Sequence, residues 1–166
     1  MGESAEAATK TVPQICEEEW QAHKADCSGF LKAVAARFGL VLHGLANDII
    51  DYVAANWSRA PDGATAAQKA AAGKFVVAGL KAQPHGHVVI VVPGPLNRGK
   101  YPTAYWGTLG GVGRKNDTIN WAWDQTDRDK VGYFYTTLGG TAAGEMVASG
   151  APPGVAGNRP QTIGGD

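Results

Sequence analysis

Residues 24–31 read KADCSGFL. A thiol follows a carboxylate, precedes Ser-Gly, and opens an apolar pattern at Phe30, Leu31, Val34, Ala35 and Phe38 that has the spacing of one helix face. A helix starting near Ser28 sets the Cys27 sulfur where free backbone N–H groups and the positive end of the helix dipole converge. That setting favours a thiolate by about 0.3–2 kcal/mol, and the same N–H groups can hold the oxyanion of a tetrahedral intermediate. Asp26 opposes a second anion and suits a helix cap or a grip on a cationic substrate group. The competing reading makes Cys27 a small buried hydrophobe, because free cysteine is among the most buried residue types.

A nucleophilic thiol needs a base, and the chain has four histidines. His23 ends the first helical pattern, His43 sits in a loop beside Gly44, and His85 and His87 flank Gly86 in QPHGHVVIVV. His87 opens the most apolar strand, where a polar side chain can face a cleft while Val88 to Val92 fill the core. A solvated or capped strand-end histidine is the structural alternative. Of the two cysteines, Cys16 follows Ile15 on an apolar helix face and reads as a structural thiol, although a bridge between Cys16 and Cys27 is also open.

These residues need elements to hold them. The periodicity predicts helices over 14–23, from about Ser28 to Phe38, over 45–57, and through ATAAQKAAAG, with Pro13 suited to a first turn and Gly39 to a stop. FVVAGL (75–80), HVVIVV (87–92), AYWGTL (104–109), TINWAW (118–123) and YFYTTL (133–138) predict strands. Helices followed by strands, without βαβ alternation, indicate an α+β domain with a roughly five-stranded antiparallel sheet. We expect one domain over 1–138 with a loose start over 1–12, and a mobile Gly- and Pro-rich tail over 139–166.

Length and charge narrow the class. A chain of 166 residues can bury a core without staples, and two cysteines are too few for a disulfide scaffold. Fifteen basic and fifteen acidic residues, without a basic stripe, give no reason to expect nucleic acid. No apolar run is long enough to span a bilayer, and the start MGESAEAATK has no apolar signal core. Glu6 stands where a myristoylation pattern needs Ser or Thr. No Walker loop, dinucleotide fingerprint or His-Glu-x-x-His motif occurs, and we expect neither metal nor cofactor.

DCSGF at 26–30 with GHVVIVV at 86–92 resembles the papain-like cysteine peptidases of the NlpC type, which pair an Asp-Cys-Ser-Gly helix start with a Gly-His-Val strand start. The longer run of DCSGFLKAVAARFGL, AAQKAAAGKFVVAGLK, GHVVIVVPGPLNRGKYP and TDRDKVGYFY resembles the amidase effectors delivered by bacterial type VI secretion systems, over roughly residues 14–138. The resemblance implies a papain-like fold with Cys27 as nucleophile, His87 as general base and the N–H groups near Ser28 as oxyanion donors. It implies hydrolysis of peptidoglycan stem peptides in the periplasm of a competing Gram-negative cell. The bond indicated is γ-D-glutamyl–meso-diaminopimelate, with the D-alanyl–diaminopimelate crosslink as alternative. It also implies a delivery component and an immunity protein that plugs the cleft. The chain departs from the NlpC pattern in the group that orients the base: YPTAYWGTLGG contains no His, Asp, Asn or Gln, leaving Tyr105, Thr108, a backbone carbonyl, Asn116 or Asp117 open. Two rivals are a thiol acyltransferase on the same architecture and a non-catalytic wall-binding module.

Other residues carry weaker signals. Asp26, Tyr105 and Trp106 are candidate substrate contacts, although aromatic strand residues more often form core. Tyr101 has the same two readings. RGK at 98–100 suits a solvated loop, TDRD at 126–129 suits a turn in which Asp127 or Asp129 accepts backbone N–H bonds, and Trp121 and Trp123 would share one strand face.

Overall fold

The computed structural model describes residues 10–138. Helix α1 (Val12–His23) starts two residues earlier than its apolar pattern, because Thr11 and Gln14 form a reciprocal capping box with Pro13 in the first turn. Helix α2 (Cys27–Arg37) is capped by Asp26, whose carboxylate accepts the Gly29 N–H at 3.1 Å. Helix α3 (Ala46–Asn56) follows, with Asp48 accepting the Leu45 N–H at 3.0 Å. Helix α4 (Gly63–Ala71) is capped by Asp62, which accepts the Thr65 N–H at 2.8 Å. Among the described residues no helix is long and apolar enough to cross a membrane.

Among the described residues six strands form one antiparallel sheet in the order β1-β6-β2-β3-β4-β5: β1 (Ser58–Ala60), β2 (Phe75–Leu80), β3 (His87–Val91), β4 (Thr103–Trp106), β5 (Arg114–Thr118) and β6 (Gly132–Thr136). The α+β expectation holds, with one strand more than the rough count. The extra strand, β1, is three residues long, too short for an alternation to be read. The stretch 118–123 is a correction. The strand there is the polar edge segment RKNDT, and Ile119–Trp121 turns as a 3₁₀ helix. Trp121 and Trp123 therefore share no strand face. Trp121 is 59% exposed with the Arg114 guanidinium stacked on its ring at 4.5 Å, whereas Trp123 is buried.

The central strand β3 is covered on both sides, which is why it reads as an unbroken apolar run. Helices α1, α2 and α3 pack on one face against Val77, Val88, Ile90 and Tyr105. Helix α4 and the turns after β5 cover Val76, Val89, Val91, Ala104 and Trp106 on the other. Phe30, Leu31 and Val34 fix α2 to the first face, each contributing about 1.5–3 kcal/mol by leaving water. Residues 1–9 and the tail from Gly139 lie outside the described residues.

Candidate active site

The tip of α2 is clamped from below. The Thr108 and Gly113 N–H groups both donate to the Lys24 carbonyl, at 3.0 and 2.8 Å. Gly107 fits because it has no side chain: a Cβ there would lie 2.4 Å from the His23 carbonyl oxygen and 2.6 Å from that of Asp26. Trp20 Nε1 on α1 donates to the carbonyls of Trp106 and Arg114, at 3.1 Å each, tying this helix to the same edge. The turn that delivers Cys27 is thus held by backbone contacts 80 and more residues away.

Cys27 is 6% exposed. The backbone N–H groups of Val88, Ser28 and Cys27 itself bear on its sulfur. Burial pushes the thiol pKa up, and the Asp26 carboxylate adds to that; the three N–H groups pull it down incompletely. The resting group is a protonated thiol, where the helix dipole alone had suggested a thiolate. Burial is the largest influence on this thiol, which is shielded from solvent.

The Val88 N–H is the amide that follows His87, so the start of β3 lies against the tip of α2. His87 pairs in register with Leu80. Its ring, half-buried, meets Trp123 edge to face with centroids 5.2 Å apart. Burial lowers the imidazole pKa to about 4. At neutral pH His87 is therefore a neutral imidazole, able to accept a proton, and Cys27 a thiol able to give one. Among the described residues no hydrogen bond joins the two side chains, as is common for catalytic pairs before substrate closes the geometry.

The turn before His87 has its own anchor. Asn47 on α3 donates to the Ala82 carbonyl at 2.9 Å and accepts the Ala82 N–H at 3.2 Å. A Cβ on Gly86 would lie 2.2 Å from Asn47 Oδ1, so the glycine before the histidine is the residue that lets α3 approach. Neither Asn47 nor Trp123 was singled out from sequence for this role, since each meets its partner 35 or more positions away.

The other candidates are placed as follows. Asp26 is committed as the α2 cap and also accepts the Ser28 hydroxyl at 3.2 Å. Tyr105 and Trp106 are 4% and 2% exposed, on opposite faces of β4, and offer no side-chain surface to a substrate here. Tyr105 donates its hydroxyl to Glu17 at 2.6 Å, and Asp117 accepts from Arg114 and from the Thr118 N–H, so neither carries an imidazole. Asn116 lies exposed on the edge strand. His23 faces Glu19 at 3.6 Å. Cys16 is fully buried and free, its thiol pushed well up by desolvation, and Cys27 is likewise unbridged. In TDRD, the backbone-capping carboxylate is Asp124, two residues upstream of the block, while Asp129 accepts the Tyr101 hydroxyl at 2.7 Å.

No protein-family model matches the chain. Among curated proteins it is 38% identical over 138 residues to the peptidoglycan amidase Tse1 of Pseudomonas aeruginosa, a match covering 76% of this chain and 90% of that protein. The chain belongs to the Tse1 family of peptidoglycan amidases. A match spanning that share of Tse1 takes in most of a relative's length, so the similarity is one of whole domains and not of a shared local motif.

Proposed function

We propose that this protein is an antibacterial cysteine amidase with a papain-like, NlpC-type arrangement, which hydrolyses peptidoglycan stem peptides with Cys27 as nucleophile and His87 as base. The observation that supports the reading is the Val88 backbone N–H acting on the Cys27 sulfur, which brings the start of β3, the strand that His87 opens, to the tip of α2. The likeness to Tse1, a peptidoglycan amidase, supports the substrate class. His87 takes the thiol proton as the sulfur attacks the stem-peptide carbonyl carbon, and the N–H groups of Cys27 and Ser28 stabilise the resulting oxyanion. The imidazolium then protonates the leaving amine. Water, deprotonated by the same imidazole, hydrolyses the thioester and restores the thiol. Because both groups are neutral at rest, charge develops only in the transition state, where the buried N–H groups act on it most strongly.

The bond proposed is γ-D-glutamyl–meso-diaminopimelate within one stem. The route proposed is type VI delivery into the periplasm of a Gram-negative target, with an immunity protein covering the cleft in the producer. Mass spectrometry of digested muropeptides tests the bond: fragments ending in γ-D-glutamate are expected, and loss of crosslinks with intact stems would assign the D-alanyl–diaminopimelate bond instead.

A further inference from the structure

On the sheet face opposite α1–α3, a cavity of about 340 Å³ opens between the first turn of α4, the loop 99–101 and the segment 128–133. Neither Cys27 nor His87 lines it. RGK at 98–100 and TDRD at 126–129 meet here, through Lys100 of one and Arg128 and Asp129 of the other, with Tyr101 in the same wall.

The wall holds carboxylates already in use and several donors without a partner among the described residues. Asp129 already accepts the Tyr101 hydroxyl at 2.7 Å and faces Lys100 at 3.4 Å, and Asp62 is used as the α4 cap at 2.8 Å. Tyr133, in contrast, is only 6% exposed, yet its hydroxyl makes no hydrogen bond with any described residue. That hydroxyl stands at the start of α4, 3.1 Å from where a Cβ on Gly63 would be. There the first N–H groups of a nine-residue helix have no intrahelical acceptor and the dipole favours negative charge. Arg128 holds Nε against the Asp124 carbonyl at 3.3 Å and lays its guanidinium 5.5 Å over the Tyr101 ring, with its Nη groups in no hydrogen bond among the described residues. The unmatched donors call for a ligand that brings acceptors, and the Arg128 guanidinium gives such a ligand a cationic partner, while the Asp62 and Asp129 carboxylates bear on the Tyr133 hydroxyl from the same wall.

We propose that this cavity is a second binding site, separate from the Cys27–His87 centre, for a carboxylate-bearing peptide end. On the amidase reading, on which only the source of the carboxylate depends, it holds an acidic group of a stem peptide away from the bond being cut. A bare oxyanion such as phosphate shares part of this chemistry.

The test uses the full chain carrying Cys27→Ala, so that nothing is turned over, titrated with meso-diaminopimelate and separately with inorganic phosphate while backbone amide resonances are followed. Diaminopimelate is expected to shift the Gly63, Ala64 and Tyr133 resonances saturably. Its affinity should fall about tenfold or more in Tyr133→Phe, which removes one hydroxyl and keeps the ring. Phosphate saturating the same resonances when diaminopimelate does not would overturn the carboxylate assignment. No saturable shift with either probe, or an unchanged affinity in Tyr133→Phe, would overturn the site. Saturable diaminopimelate binding together with a wild-type protein that leaves sacculi intact would sink the amidase reading and leave the site standing.

Discussion

Replacing His87 with Gln should flatten the acid end of the protein's stability curve. In the folded chain the imidazole pKa lies at about 4, lowered by burial from its ordinary 6.5. A depressed histidine pKa means that the unfolded chain binds the proton first as the pH falls. Stability is thus fully present above about pH 6.5 and is lost progressively down to about pH 4. For these two values the linkage integral gives a loss of about 2 kcal/mol between pH 7 and pH 5, rising to about 3 kcal/mol at pH 4. The assay is urea unfolding of wild type and His87→Gln at matched pH values, taking the difference between proteins of the change with pH so that every other titrating group cancels. Wild type should lose about 2 kcal/mol more than the variant between pH 7 and pH 5. Equal losses would refute the burial argument. A wild type that gains on the variant with acidification would show a stabilised imidazolium and hence a resting ion pair.

Other consequences follow from the same contacts. Because burial holds the Cys27 thiol protonated, iodoacetamide should label it slowly near pH 6 and faster as the pH rises; rapid labelling at pH 6 would contradict the neutral resting pair. Gly86→Ala drives a methyl against Asn47 Oδ1 and should cost about 1–3 kcal/mol in urea melts while lowering kcat, since it moves the turn that carries His87. Asn47→Ala removes both bonds to Ala82 and should cost about 1 kcal/mol, with KM little changed and kcat reduced.

Much of the fold is legible locally. Asp26 announces its helix by capping, and β2, β3 and β6 are announced by dense β-branched or aromatic runs. TINWAW misleads because the same residue types suit a strand, whereas here Ile119 and Trp123, four apart around a tight turn, bury together. The edge strand RKNDT escapes because its pairing with β4 comes from backbone and leaves its side chains to solvent. At the site, Cys27 and His87 stand out by type and setting, but the state of the thiol does not. The dipole that favours a thiolate is visible in sequence order, while the burial that raises the thiol pKa depends on how the rest of the chain packs over it. Asn47 and Trp123 are hidden for the same reason: they matter through where the chain returns.

The central claim is that the Cys27 sulfur does the chemistry on peptidoglycan. The direct measurement is release of soluble fragments from purified sacculi by wild type and by Cys27→Ala, with folding of the variant checked by its urea midpoint. A folded Cys27→Ala protein should lose activity by about three orders of magnitude or more. A folded variant that releases fragments at the wild-type rate would contradict it.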